Sequence, residues 1–98
     1  MEFLVIASDN AAAGALRQKV RPYHIAAANQ TVADGNMLIG GAILDADGAM
    51  VGSMTVVSFP TRLAFDAWLR SAPYMRAGVW DKVTVHPYQT AVIAPARA

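Results

Sequence analysis

Cysteine is absent from the chain. Its absence excludes disulfides, thiolate nucleophiles and cysteine-bound metals. Charge is scarce as well. Asp, Glu, Lys and Arg make up 15% of the residues, against about 25% in an average soluble chain. The net charge of +1 lacks the basic excess that holds nucleic acid. No segment approaches the roughly 20 apolar residues of a membrane span. The N-terminal "MEFLVIASDN" carries Glu2 and no basic n-region before its short apolar run, so it does not read as a secretory signal. These absences predict a soluble, cytoplasmic protein with neither nucleic acid nor membrane as a partner.

What is present is apolar. In 98 residues, 55% are hydrophobic, which suits one small domain over residues 1–98. There is more apolar surface than charge to dilute it. Some of that surface is therefore expected to lie under a second chain.

The pattern along the chain alternates strand and helix signals. "EFLVIAS" (2–8) is a near-continuous apolar run, as in a strand buried on both faces. Asp9 is placed just past its end. Leu16, Val20, Tyr23 and Ala27 follow helical spacing across 15–33. Pro22 interrupts that stretch. A proline inside a helix removes a hydrogen bond at a cost of about 3 kcal/mol, whereas at the first helical position it costs little. Either one helix kinks at Pro22, or the main helix begins there. "NMLIGGAIL" (36–44) reads as a strand with an irregularity at Gly40-Gly41, and "DADGAMVGS" (45–53) as a turn. "SMTVVSF" (53–59) is a third strand with large apolar residues on both faces. Thr61 is placed as the N-cap of a helix that buries Phe65, Trp68, Leu69 and Ala72. Pro73 ends that helix, "YMRAG" adds a turn, and "KVTVHPY" (82–88) is the last strand. The tail 89–98 has no period and is read as a swapped arm or a frayed end.

The order β-α-β-β-α-β predicts a ferredoxin-like α+β fold, with two helices on one face of an antiparallel sheet. The apolar second face is expected to pack on its copy in a homodimer about a two-fold axis.

The densest chemistry lies in "RQKVRPYH" (17–24). On one helix, Arg17, Arg21 and His24 fall within about 60° of one another, while Lys19 points away. Guanidinium groups recognise carboxylates, phenolates and similar anions. A histidine beside them could move a proton.

Other constellations are weaker. Ser53 sits in "VGSMT", which is not the G-x-S-x-G nucleophile elbow of a serine hydrolase. "DADG" lacks the length and closing glutamate of a calcium loop. Gly40-Gly41 have no phosphate-loop or dinucleotide context. His86 has no ligand spacing to make a metal pair with His24. The third strand lacks the stacking aromatics of an RNA-binding domain. No cofactor motif is visible, and Trp68 and Trp80 read as core or dimer contacts.

The chain resembles the YciI-like (YCII-related) family of small dimeric α+β barrel proteins. The likeness rests on "LVIASD" ending in Asp9, "LRQKVRPYH", "DGNMLIGGAI", "GSMTVV", "APYMRAGVW" and "VTVHPY", in that order. The resemblance implies a ferredoxin-like dimer with a cleft centred on a histidine and an aspartate, here His24 and Asp9. Arg21, Arg17, Tyr74 and Ser53 would bind substrate around them. Two positions depart from the family's usual pattern: Ala72 stands where an Asp often precedes Pro-Tyr, and Ala42 where a Pro often follows Gly.

The expected function is acid-base chemistry on a small anionic or hydroxylated organic substrate. Its type would be elimination or hydrolysis, with His24 oriented by Asp9. The alternatives are a ligand-binding module with the same cleft and a cofactor-independent oxygenase.

Overall fold

The computed structural model describes residues 1–95. Its elements are β1 (Glu2–Asp9), α1 (Gly14–Ala33), β2 (Met37–Leu44), β3 (Met50–Ser58), α2 (Arg62–Ser71), α3 (Pro73–Arg76) and β4 (Trp80–Tyr88). The four strands are antiparallel in the order β2-β3-β1-β4. This is the expected ferredoxin-like α+β arrangement.

Strand register sorts the side chains. Val5 pairs with Thr55 and Val85, and Ala7 with Ser53 and Val83. Residues paired this way share a face. Phe3, Val5 and Val57 pack with Phe65 of α2 into one buried cluster. Ala7 joins Ala13, Ala72, Tyr74, Val79 and Trp80 in a second. The helices therefore cover the face that carries Phe3, Val5 and Ala7. The opposite face carries Leu4, Ile6, Met54, Ile39 and Ile43, and Ile6, Ile39 and Ile43 on it are exposed.

α1 runs unbroken through Pro22, so the helix does not restart there. Pro22 lies on the exposed side, where water can reach the carbonyl left without a donor. Its C-terminus closes in a Schellman motif: Gly35 donates to the Val32 carbonyl and Asn36 to that of Thr31, with Gly35 at φ 79°. Thr61 caps α2 by accepting the Ala64 N–H at 3.1 Å.

Several boundaries differ from those read off the sequence. Asp9 belongs to β1 rather than lying past its end, β3 already begins at Met50, and β4 begins at Trp80. The β2 irregularities fall at Met37/Ile39 and Ile43/Leu44, not at the two glycines.

The larger correction concerns α1. Leu16 and Tyr23 were expected to face inward, yet both are exposed. The inward stripe is Ala13, Arg17, Val20, His24, Ala28 and Thr31, which has helical spacing but mixed chemistry. Its polar members each find a partner: Arg17 in Asp9 and Ser53, His24 in the Tyr74 N–H, and Thr31 in the Ala27 carbonyl and the Trp68 indole.

Gly52 sets the approach of β3 to β1. A Cβ at this position would lie 2.5 Å from the Ala7 carbonyl oxygen, so only glycine fits. The next residue, Ser53, is thereby held at the end of the buried face. Beyond β4, Thr90 bonds through its N–H and hydroxyl to the Glu2 carboxylate. Part of the tail read as a swapped arm or a frayed end, residues 96–98, lies outside the described residues. Among the described residues no helix is long and apolar enough to cross a membrane.

Candidate functional site

Arg17 is the most buried charged residue among the described residues, 3% exposed. A guanidinium without water needs partners for its donors. One terminal nitrogen donates to both oxygens of Asp9, at 2.8 and 2.9 Å, and the other donates to Ser53 Oγ at 3.1 Å. The pair joins α1 to the end of β1, and the serine joins it to β3. Arg17 Nε is buried without a partner among the described residues.

Ser53 Oγ also accepts the Trp80 indole N–H at 3.3 Å. With both lone pairs taken, the hydroxyl can only donate its own proton. Among the described residues no group accepts that proton.

His24 makes no hydrogen bond to Asp9, whose carboxylate is engaged by Arg17. His24 Nδ1 instead accepts the backbone N–H of Tyr74 at 3.4 Å. The local reason lies in α3. Pro73 disfavours helical backbone at Ala72, which is extended at ψ 129°, so α2 ends and α3 begins. Tyr74 then sits in the first turn of a helix, where N–H groups have no intrahelical acceptor. His24 supplies one. The two rings stack at 3.7 Å with 9° between their planes, and Trp80 meets His24 edge-on at 5.5 Å.

This environment fixes the histidine's protonation. Burial, and then the neighbouring Arg17 charge, lower its pKa from 6.5 to about 4. At neutral pH the ring is uncharged. With Nδ1 accepting a hydrogen bond, its single proton resides on Nε2. His24 therefore presents a donor, not a basic lone pair, to any group that meets Nε2.

The Tyr74 pKa is raised, first by burial, with a smaller contribution from Asp9, while Arg17 and Arg21 pull against the shift. The phenol stays protonated. Its ring also lies 4.7 Å from the Arg17 guanidinium carbon.

These residues line one end of a cavity of about 480 Å³ between α1 and the β2–β3 side of the sheet. Arg21 is exposed at the same end. No carboxylate lines the cavity among the described residues. Ala72 does line it and is buried, so the position where the resemblance suggested an acidic residue adds no acceptor. The polar end offers donors from Arg17, Arg21, His24, Ser53 and Tyr74. A ligand there must bring oxygens that accept, preferably charged ones.

The structure brings Arg17, Arg21, His24, Ser53 and Tyr74 to one cavity and leaves Asp9 behind Arg17. Trp80, read from the sequence as core or dimer contact, is part of the site through its bond to Ser53. Nothing local in "GVWDK" marks it, because the contact depends on the register of β4 beside β1. His86 pairs with Leu4 on the far face of the sheet. No group of three His, Asp or Glu side chains suits a metal among the described residues.

The YCII-related domain matches residues 1–89. The YciI proteins of Escherichia coli O6:H1 and Shigella flexneri are each 30% identical over 95 residues, covering 91% of this chain and 97% of theirs. Among solved structures, the chain superposes on a 5-chloro-2-hydroxyhydroquinone dehydrochlorinase from Burkholderia phenoliruptrix, in complex with 2,5-dihydroxybenzoquinone. The TM-score is 0.83 at 20% identity, over 93% of this chain and 96% of that one. An antibiotic biosynthesis monooxygenase gives a TM-score of 0.55 at 13% identity, over 93% and 98% of the two chains.

The lowered His24 pKa has a consequence for stability. The unfolded chain binds the proton near 6.5 and the folded protein only near 4. Between these values the unfolded state carries more protons, so stability is complete above about pH 6.5 and declines as pH falls toward 4. Urea unfolding of the wild type is expected to weaken from pH 6.5 to 5, above the range where ordinary carboxylates titrate. His24→Phe, which retains an aromatic ring, is expected to flatten that slope. An unchanged slope would mean that His24 is not held neutral.

Proposed function

The chain belongs to the YCII-related family, and on that premise we propose that it is a small-molecule enzyme of the elimination type, acting on a hydroxylated, anionic organic ring. The observation that carries this reading is the cavity end lined by donors and no carboxylate, built over the buried Arg17–Asp9 pair. The fold shared with a dehydrochlorinase supports it.

The roles follow from the donors. The substrate enters as a phenolate or enolate, its hydroxyl proton already lost to water. Tyr74 Oη–H and Ser53 Oγ–H hold the charged oxygen, with Arg17 and Arg21 supplying positive potential. A second hydroxyl ketonises first, its proton passing through water to the halogen-bearing ring carbon, which becomes tetrahedral. The enolate electron pair then closes to a second carbonyl, the double bond shifts toward that carbon, and the leaving group departs from it as an anion. The sum is loss of HX. His24 donates from Nε2–H to the second hydroxyl oxygen, on which charge develops as its proton leaves, as a neutral imidazole can. Asp9 acts through Arg17 as a positioning residue. This differs from a His24–Asp9 acid-base pair, because Nδ1 is occupied and Nε2 holds the proton.

A second reading, a ligand-binding module, is favoured by one feature: the polar end offers no carboxylate to receive a proton. The homodimer belongs to the same proposal. Leu4, Ile6, Met54, Ile39 and Ile43 form an apolar sheet face with no covering element among the described residues, and a second copy would remove it from water.

Halide release from halogenated 2-hydroxyhydroquinones tests the enzyme reading. His24→Phe is expected to lower kcat by about 10²–10³-fold, the effect of losing one oriented donor, while KM changes less. The wild-type kcat should show no histidine ionisation between pH 5 and 8. Ligand binding without halide release would favour the module, and dioxygen uptake during turnover would contradict elimination. Sedimentation should report a dimer that Ile6→Glu dissociates; a wild-type monomer would remove the two-fold interface.

A further inference from the structure

The cavity has a second end of opposite character. It extends from the polar cluster along the C-terminal half of α1, past Ile25, Ala28 and Val32, over Met37 and Gly40 of β2 and beside Trp68. None of these side chains is charged. Ile25 and Val32, seven residues apart and so on one helix face, are 40% and 53% exposed.

Thr31, Thr55, Trp68 and Ser71 around this arm bond within the protein, while Asn29 and Gln30, which also line it, are exposed to water. Trp68 Nε1 donates to Thr31 Oγ1 at 3.1 Å, and the Thr31 hydroxyl donates to the Ala27 carbonyl at 3.0 Å. The Thr55 hydroxyl donates to the Ile39 carbonyl at 2.7 Å, and the Ser71 hydroxyl to that of Trp68 at 2.7 Å. The contrast with the other end is sharp, since Arg17 Nε remains unpartnered there. What these side chains leave for a ligand in the arm is hydrocarbon and indole surface. Its floor depends on a missing side chain: a Cβ on Gly40 would lie 3.2 Å from Met37 Sδ and 3.4 Å from Thr55 Oγ1.

The whole cavity, at about 480 Å³, lies within the range of about 300–1,000 Å³ for pockets that bury a drug-sized ligand. A single hydroxylated ring at the polar end would leave the arm unfilled. We infer that the substrate carries an apolar substituent, seated in this arm while its anionic oxygens meet Arg17, His24 and Ser53. The inference rests on the hydroxylated-ring reading above and adds to it a requirement for an amphipathic substrate. The two ends belong to one continuous cavity, so a single molecule can satisfy both.

The test is a set of dissociation constants, by titration calorimetry on the full chain. The probes are 2,5-dihydroxy-1,4-benzoquinone and its 3-methyl, 3-propyl and 3-hexyl derivatives. Affinity is expected to rise about two- to fourfold per methylene, fourfold corresponding to full burial at ~0.8 kcal/mol. Ala28→Leu narrows the arm from the helix. Gly40→Ala narrows it from β2, where the added Cβ would press on Met37 Sδ and Thr55 Oγ1. Either variant that keeps the wild-type circular dichroism should cut the hexyl-to-unsubstituted affinity ratio by about tenfold, a loss of ~1.4 kcal/mol. Binding of the unsubstituted ring with no gain along the series would overturn the arm and leave the proposed function standing. A gain that neither substitution reduces would also overturn it, by seating the chain elsewhere. If no member binds, the hydroxylated-ring reading fails and the inference fails with it.

Discussion

The buried ion pair between Arg17 and Asp9 organises this protein. Both side chains are almost without solvent, at 4% and 8% exposure. Burying a guanidinium carries a desolvation penalty of several kcal/mol. Two carboxylate oxygens and a serine hydroxyl offset it. Removing one partner of such a pair typically costs about 3–5 kcal/mol, because the other charge is left buried and alone. The pair fixes the start of α1 against the ends of β1 and β3. It also places a permanent positive charge beside His24 and Tyr74. Burial, and after it that charge, lower the histidine's pKa to about 4.

Site chemistry follows from that placement. The acidic residue that might have activated a histidine is committed to an arginine. The helix N–H of Tyr74 takes Nδ1. The serine hydroxyl is saturated as an acceptor by Arg17 and Trp80. Each constraint removes an acceptor from the cavity and leaves a donor. The result suits the stabilisation of charge on a substrate oxygen better than the extraction of a proton by the protein. Donors already oriented by packing need little reorganisation when that charge develops, which is the usual source of electrostatic catalysis.

The fold was legible from the order of the elements, because apolar runs and turn residues alternate clearly. Five residues singled out in the sequence, Arg17, Arg21, His24, Ser53 and Tyr74, line one cavity, but their connections were not legible. Pro22 argued against a continuous helix through "RQKVRPYH"; the helix tolerates it because it sits on the wet side. Leu16 and Tyr23 promised an apolar inner face, yet Arg17 and His24 occupy it. Hydropathy cannot show that, since a buried arginine is stable only beside Asp9, and the sequence does not reveal that the two touch. Trp80 entered the site through strand register, which no local pattern encodes. Asp9 and His24 looked like partners because both were expected in one cleft; Arg17 lies between their roles.

The account depends most on the protonation state of His24. Long-range 15N–1H correlation spectra at pH 7 read it directly. The account predicts a neutral ring with the proton on Nε2 and an unprotonated Nδ1. A proton on Nδ1, or an imidazolium at that pH, would contradict it.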